Sequence, residues 1–202
     1  MTLVGALHNG ENILIGADTV GTDRYENLRY EGVSKLEVIE QWSTPMIWAW
    51  AGDGAAASEL REWLELRTPF GAWANLIVGV RMEIKRIVSE RVKTATAAGQ
   101  PAKVPLVVVF AGCIAGTLKI ARFDGAGNAS VSVKQGQIDY EGAGALNAKQ
   151  AGLLLGYLQG KAGIETEEEF RFVMDWAAAV TPDCGGPVEF KRITSKGIED
   201  AP

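Results

Sequence analysis

The order of predicted elements places this chain in the α+β class, with helices covering two antiparallel sheets. Strand-like runs come first, followed by two helical segments, more strands, two more helical segments and a last strand. The strand–helix–strand alternation that builds parallel sheets is not seen. The 202 residues are 47% apolar and 22% charged, enough for a sizeable core and unlike a disordered chain. We therefore expect one domain over residues 1–202.

Each element in the first half is predicted from hydrophobic spacing and turn residues. An Asn-Gly turn between two short apolar runs predicts an opening hairpin, and a second strand pair follows around Pro45. Apolar residues at helical spacing on both sides of Pro69 then predict two consecutive helices. The four predicted strands are Val4–Leu7, Ile13–Ala17, Lys35–Glu40 and Met46–Ala51.

The second half has a similar succession of strands and helices. Ala95–Lys103 is expected to be a surface connection, and three strand-like runs with glycine-rich turns then predict an antiparallel meander. Two helices are predicted next, over Ala145–Gln159 and over Phe170–Val180, the latter opened by a capping box at Thr166. The meander strands are Leu106–Ala111, Thr117–Phe123 and Ala129–Val133. The chain then ends with a predicted strand and a predicted polar tail, Val188–Thr194 and Gly197–Pro202.

Charge and residue content exclude several classes of function. A net charge of −5 opposes a surface that neutralises nucleic-acid phosphates. Two cysteines and one histidine provide neither a disulfide framework nor a metal-ligand cluster. No apolar stretch reaches the roughly 20 residues that a membrane span needs, and no secretory signal is visible. We expect no cofactor or metal, no nucleic-acid or membrane partner, and a cytoplasmic location.

Thr2 is the candidate nucleophile. If Met1 is removed, Thr2 carries both a hydroxyl and a free α-amine, and the ordinary amine pKa of about 7.7–8.0 suits a general base. A nucleophile of this kind needs no histidine. His8 lies six strand residues away, about 20 Å, and is expected to be a solvated turn residue. A threonine at the second position is common, so the hypothesis depends on its surroundings.

The opening hairpin brings one acid close to Thr2. A three-residue turn over Asn9-Gly10-Glu11 would place Thr2 opposite Asp18. Asp18 is then the nearest carboxylate to the candidate nucleophile. An equal interpretation is a strand-end aspartate that caps a turn over Thr19–Asp23.

Several segments of the chain together match a known pattern. They are Thr2-Leu3-Val4-Gly5, Ile15-Gly16-Ala17-Asp18, Lys35, and Ala51-Gly52-Asp53-Gly54-Ala55-Ala56 before a predicted helix. This pattern resembles the proteasome β-subunit superfamily, including the HslV-type peptidases. The resemblance implies a four-layer αββα sandwich of the N-terminal nucleophile hydrolase type. It also implies threonine-type cleavage of peptide bonds in a self-compartmentalising complex.

The resemblance assigns roles to four of these residues. Thr2 would attack the peptide carbonyl, and Lys35, held by Asp18, would favour the deprotonated hydroxyl. The Gly52 N–H would donate to the oxyanion. On local sequence alone, Lys35 is an exposed strand lysine and Gly52 is a glycine at a helix entry, so these alternatives stay open.

The resemblance also implies a substrate-binding segment and a specificity pocket. Gly21 and Thr22 would pair with the substrate backbone as an added strand, although they could equally form a turn. Trp50 would form a wall of the first specificity pocket, and its bulky ring would restrict the pocket to small side chains or occlude it. Because Trp48 and Trp50 share one face of a strand, a core position is the alternative for these rings.

Two segments depart from the family pattern. Ala143 stands where the family often has a serine near the nucleophile. Before the last strand, the family often has an aspartate and a serine at the places of Thr181 and Cys184. Asp183 is then a shifted supporting acid or a loop cap. Cys184 is a reactive thiol or, in the absence of a histidine partner, a small structural residue.

The implied partners are a peptide or unfolded protein as substrate, further copies of the chain in rings, and an ATPase unfoldase as a further candidate. Two other functions stay open. One is a proteasome-like assembly or scaffold subunit that does not cleave, which the altered supporting residues favour. The other is an N-terminal nucleophile amidohydrolase of a small amide, which a monomer or dimer in solution would favour.

Overall fold

The computed structural model describes residues 2–23, 28–39, 42, 44–100, 103–132, 137–143, 166–180 and 184–201. These ranges contain three helices: α1 (Gly54–Glu65), α2 (Trp73–Ala97) and α3 (Glu167–Val180). The strands of the first half are β1 (Thr2–His8), β2 (Ile13–Asp18), β3 (Gly21–Asp23), β4 (Leu28–Tyr30), β5 (Leu36–Val38) and β6 (Met46–Gly52). Those of the second half are β7 (Leu106–Ile114), β8 (Thr117–Asp124), β9 (Ala129–Ser132), β10 (Gln137–Ala143), β11 (Val188–Ile193) and β12 (Ile198–Asp200).

Most of the strands form two five-stranded antiparallel sheets that pack face to face. The first has the order β10-β1-β2-β11-β12 and the second the order β5-β6-β7-β8-β9, while β3 and β4 form a separate pair. Side chains alternate along each strand, so every second residue points into the layer between the sheets. That layer includes Val4, Ala6, Ile13, Ile15, Ala17, Ile47, Ala49, Ala51, Val109 and Ala111.

The helices cover the outer faces of the two sheets. Helices α1 and α2 pack on the second sheet through a cluster that includes Trp48, Leu60, Leu76 and Phe110. Helix α3 packs on the first sheet through a cluster that includes Leu3, Leu14, Phe170 and Val173. The predicted four-layer αββα sandwich is therefore confirmed.

Most predicted elements are found close to their expected bounds. The two strand pairs, the helices on either side of Pro69 and the meander are all present. Helix α3 begins at Glu167, three residues before the predicted Phe170 and directly after the predicted cap, where the Thr166 hydroxyl accepts the N–H of Glu169 at 3.2 Å. The predicted helix Ala145–Gln159 lies outside the described residues.

Several strand ends differ from the prediction by one or two residues, and three differences are larger. Helix α2 continues to Ala97, into the predicted surface connection. Strand β7 continues to Ile114, because the Pro45 carbonyl accepts the N–H of Cys113 at 2.9 Å and extends the pairing with β6. The predicted polar tail contains β12, which pairs with β11 and is followed by the buried Ala201.

Besides β12, three further strands have no counterpart in the prediction. Strand β3 begins inside the segment that was expected to be a turn, and it pairs with β4. Strand β10 pairs with β1 along its full length, from Gln137 to Ala143. In the described ranges, no helix combines the length and apolar character required to cross a bilayer.

Candidate active site

The register of the opening hairpin differs by one residue from the prediction. Strands β1 and β2 join through a four-residue turn, so Leu3 rather than Thr2 falls level with Asp18. Asn9 builds this longer turn, since its Oδ1 accepts the N–H groups two and three residues further on at 3.1 and 2.9 Å. The correction still leaves Asp18 one residue from the candidate nucleophile.

Asp18 is the centre of a buried hydrogen-bond network. Its carboxylate is 0% exposed and accepts the Leu3 N–H at 2.7 Å and the Lys35 ammonium at 2.9 Å, both on Oδ1. Its Oδ2 accepts the N–H of Gly185, in the loop before β11, at 3.4 Å. One carboxylate therefore connects the N-terminal strand, a lysine that precedes β5 and the loop that leads to β11.

Lys35 is fully enclosed beside this carboxylate. Its side chain is 1% exposed and its Nζ donates both to Asp18 and to the Val20 carbonyl. The local-sequence alternative of an exposed strand lysine is therefore wrong. Burial lowers the pKa of Lys35, whereas the charge and hydrogen bond of Asp18 and the charge of Cys184 raise it. The two acceptors hold a lysine whose charge is energetically costly to bury.

The backbone of Thr2 lies next to the Asp18–Lys35 pair. Its carbonyl carbon is bonded to the Leu3 nitrogen, which donates to Asp18. On the other side of β1, Thr2 pairs with Ala143 of β10. The structure thus brings the predicted Thr2, Asp18 and Lys35 together, and places Ala143 directly across from Thr2.

Gly52 ends β6 in a conformation that requires glycine. Its φ of +111° is one that residues with a Cβ rarely adopt, and a Cβ at this position would lie 2.1 Å from the Pro105 carbonyl oxygen. The next residue, Asp53, donates its N–H to the same carbonyl at 2.7 Å and caps α1 with its side chain. Gly52 therefore ends a strand and leads into helix α1, which agrees with the interpretation of Gly52 as a glycine at a helix entry.

The Gly52 N–H points to the Lys35 side of β6. Along a strand, successive N–H groups alternate between the two neighbouring strands. The N–H of Trp50 donates to the Lys35 carbonyl at 3.4 Å, on the β5 side. Gly52 lies two residues further on, so its N–H points to the same side of β6. Strand β5 begins at Leu36, opposite Ala49, so Gly52 lies past the paired segment. An N–H in this direction is suited to a ligand atom close to Lys35.

Trp50 packs on the helix side of the second sheet. Trp48 is buried in the cluster beneath α1 and α2, so the core alternative is correct for that ring. Trp50 is only partly buried at the edge of the same cluster, and its Cη2 lies 3.5 Å from the Cβ position of Gly54. Its buried Nε1 has no hydrogen-bond partner among the described residues.

Gly21 and Thr22 belong to β3, so the turn interpretation is wrong. They pair with Tyr30 and Arg29 of β4, respectively. Strand β3 begins directly after Val20, whose carbonyl accepts from Lys35. The strand is thus attached to the buried pair through the preceding residue.

Of the two remaining predicted residues, the structure describes Cys184, which precedes β11. Cys184 is buried in the cluster under α3, which agrees with a small structural residue, and its neighbour Gly185 donates to Asp18. Asp183 lies outside the described residues. Because the Gly185 and Val20 contacts with the pair use backbone atoms, no side-chain pattern in the sequence could have indicated them.

His8 is not the solvated residue that was expected. It is 7% exposed at the end of β1, and its Nδ1 accepts the Gly10 N–H at 3.1 Å. Burial lowers the pKa of His8, against hydrogen bonds to backbone groups that raise it. The residue holds the hairpin turn at the opposite end of β1 from Thr2.

The layers and connectivity define an α+β sandwich of the N-terminal nucleophile hydrolase type. Solved structures of HslV and Anbu have the same fold. An Anbu mutant from Hyphomicrobium sp. strain MC1 matches 100% of this chain and 85% of its own, with a TM-score of 0.72 and 16% identity. Anbu, described as an ancestral beta-subunit, from Yersinia bercovieri matches 99% of this chain and 87% of its own, with a TM-score of 0.71 and 10% identity.

A third solved structure, the eukaryotic HslV from Trypanosoma brucei, matches 96% of this chain and 99% of its own, with a TM-score of 0.60 and 19% identity. No protein-family profile and no curated protein matches the sequence. At these identities the likeness establishes the fold alone, because one fold can carry different chemistries.

Proposed function

We propose that this chain is a threonine-type peptidase subunit of a self-compartmentalising, proteasome-like complex, in which Thr2 cleaves peptide bonds after Met1 is removed. One observation carries the proposal: the buried Asp18 carboxylate accepts hydrogen bonds from both the Leu3 N–H and the Lys35 ammonium. This contact keeps a buried cation beside the residue that would carry the nucleophile. The sandwich fold supports the same conclusion.

Acylation would proceed through Thr2 alone as nucleophile and base. The Thr2 hydroxyl oxygen attacks the peptide carbonyl carbon while its proton passes to the Thr2 α-amine. The Lys35 ammonium, held by Asp18 and the Val20 carbonyl, lowers the cost of the developing alkoxide through its positive charge. The tetrahedral intermediate then collapses, the C–N bond breaks, and the leaving peptide amine takes the proton from the Thr2 ammonium.

Deacylation would regenerate the enzyme by the reverse arrangement. Water attacks the carbonyl carbon of the Thr2 ester, and one water proton passes to the Thr2 α-amine. The bond between that carbon and the Thr2 oxygen then breaks, the Thr2 oxygen takes the proton from the ammonium, and the carboxylic acid product departs. In both halves of the reaction the carbonyl oxygen becomes negative. The Gly52 N–H, directed to the Lys35 side of β6, would donate to that oxygen.

The proposed substrate is a peptide or unfolded protein in an extended conformation. Strand β3 is paired with β4 along one edge, and a substrate strand would add to the other edge at Gly21 and Thr22. Trp50 would limit the first specificity pocket to small side chains or occlude it, since its ring is only partly buried and lies next to Gly54, two residues after Gly52. We propose further that the single domain assembles with copies of itself into rings in the cytoplasm. An ATPase unfoldase would then deliver protein substrates.

The test is labelling by a β-lactone or a peptide epoxyketone, followed by intact mass and mapping of the adduct. We expect a mass without Met1, one adduct on Thr2, and hydrolysis of fluorogenic peptides. Thr2→Ala should abolish both adduct and hydrolysis. Thr94→Ala is the matched control, because Thr94 is exposed on α2 and its hydroxyl donates to a carbonyl of the same helix. Undiminished hydrolysis by Thr2→Ala would reject the assignment.

A proteasome-like subunit that assembles without cleaving is the second candidate. The observation in its favour is Ala143, which pairs with Thr2 and provides no hydroxyl where the family often has a serine. Retained Met1, absence of an adduct and a ring by light scattering would support this candidate. Hydrolysis of small amides by a monomer or dimer would instead support the amidohydrolase.

A further inference from the structure

Arg29 lies at the rim of the candidate site. It is exposed on β4, directly across from Thr22 of β3. Its guanidinium packs over Gly185, since a Cβ built on that glycine would lie 2.6 Å from the arginine Nη2. Gly185 has a φ of +145° and donates its N–H to Asp18. The arginine therefore sits on the outside of the loop whose inner side holds the buried carboxylate.

The charge of Arg29 is not neutralised within the described part of the fold. Among the described residues it has no carboxylate within ion-pair distance. The arginines Arg61, Arg86 and Arg91, by contrast, each pair with at least one glutamate. Asp18 does not need a further donor, because three N–H groups already bond to its carboxylate. A cation held in this way against the loop is available to a ligand.

We propose that Arg29 is a specificity-determining residue that binds a carboxylate of the substrate peptide. This inference rests on the proposed function and deepens it. A substrate strand added to β3 would lie two strand spacings from β4, about 9–10 Å, which an arginine and a glutamate side chain span together. The planar guanidinium fits the two oxygens of a carboxylate. The carboxylate is either an acidic side chain or the terminal carboxylate of the peptide.

Paired fluorogenic peptides measure this preference. Each pair differs by glutamate or glutamine at one position on the amino-terminal side of the cleaved bond. A second set compares a free terminal carboxylate with an amide. For one of these pairs we expect kcat/KM about 1.5- to fivefold higher for the charged peptide, the range typical of solvent-exposed ion pairs. A higher kcat/KM for the glutamate peptides identifies an acidic side chain as the carboxylate that Arg29 binds. A higher value for the peptides with a free terminus identifies the terminal carboxylate.

Variants assign the preference to the arginine. Arg29→Gln should bring the charged-to-neutral ratio to about one, and Arg29→Glu should invert it. Arg81→Gln is the matched control, because Arg81 is exposed on α2 and its loss changes the net charge equally; the wild-type ratio should persist. The preference should also weaken with added salt, since the contact is exposed.

Binding separates this inference from the proposed function. The same peptides are titrated into the Thr2→Ala variant. The ratio of Kd values for the charged and the neutral peptide of each pair then measures the carboxylate contact without cleavage. A binding preference that depends on Arg29, with no Thr2-dependent cleavage, would reject the peptidase and keep the carboxylate site. Cleavage that depends on Thr2 but is indifferent to charge in every pair would keep the peptidase and overturn the role of Arg29. Persistence of the preference in Arg29→Gln would overturn it as well.

Discussion

Replacing Asp18 with asparagine should strongly destabilise the protein at neutral pH. The asparagine amide oxygen can still accept the Leu3 N–H, but the change leaves the Lys35 ammonium, 1% exposed, without its counter-charge. Breaking a buried ion pair by removing one partner costs about 3–5 kcal/mol. The lysine can limit this cost by losing its proton. At pH 7 that loss costs about 4.6 kcal/mol, from an unfolded pKa of about 10.4 and 1.36 kcal/mol per pH unit.

The same reasoning predicts how the defect changes with pH. In Asp18→Asn, the folded state would hold Lys35 neutral, while the unfolded state binds the proton up to about pH 10.4. The unfolded state then binds more protons, so stability rises with pH in this window. The cost of the neutral lysine falls to about 1.9 kcal/mol at pH 9. Asp18→Asn should therefore recover up to about 2.7 kcal/mol between pH 7 and pH 9, relative to wild type.

The assay is urea unfolding followed by tryptophan fluorescence at fixed protein concentration, at both pH values. Lys35→Met and the double variant complete a double-mutant cycle, because methionine keeps most of the volume without the charge. The double variant should be more stable than Asp18→Asn at pH 7, with a coupling energy of about 2–3 kcal/mol. Additive effects, or an Asp18→Asn defect that does not change with pH, would refute a buried charged pair.

Two further predictions concern the ends of β1 and β6. Gly52→Ala should lower the free energy of unfolding by about 2 kcal/mol or more and abolish peptide hydrolysis, because its φ is +111° and a Cβ would meet the Pro105 carbonyl at 2.1 Å. Gly71→Ala, where a Cβ meets nothing within 4 Å, is the control and should unfold at the wild-type urea concentration. Burial lowers the pKa of His8 in the folded state. As the pH falls below about 6.5, the unfolded state therefore binds a proton at His8 before the folded state does, and the free energy of unfolding should decline. Thermal unfolding from pH 7.5 to 5 should show this decline in wild type and less of it in His8→Gln; equal declines would contradict the assignment.

The fold could largely be predicted from the sequence, because its layers follow from local patterns. Alternating apolar residues predict strands, apolar residues at helical spacing predict helices, and the turn residues divide them. The capping box at Thr166 and the break at Pro69 lie where the structure has helix boundaries. The four missed strands, β3, β4, β10 and β12, have no comparable local signal, since their pairing partners are set by the assembled sheets.

The hairpin register illustrates the limit of local reasoning. An Asn-Gly turn predicts a hairpin but not its loop length, and the side chain of Asn9 selects a turn one residue longer than expected. The shift of one residue moves Asp18 from Thr2 to Leu3. It also converts the expected contact with the nucleophile into a hydrogen bond with the following peptide.

The sequence by itself determined which residues could carry the chemistry: one threonine next to Met1, a single histidine too far from it, and a motif that resembles one peptidase superfamily. Only the tertiary structure decided what surrounds them. Lys35 looks like an exposed lysine because its carboxylate partner lies 17 residues away on the other sheet. Stacking of the two sheets removes both groups from water, and a buried charge is tolerable only beside its partner. That pairing depends on long-range packing, which no local pattern encodes.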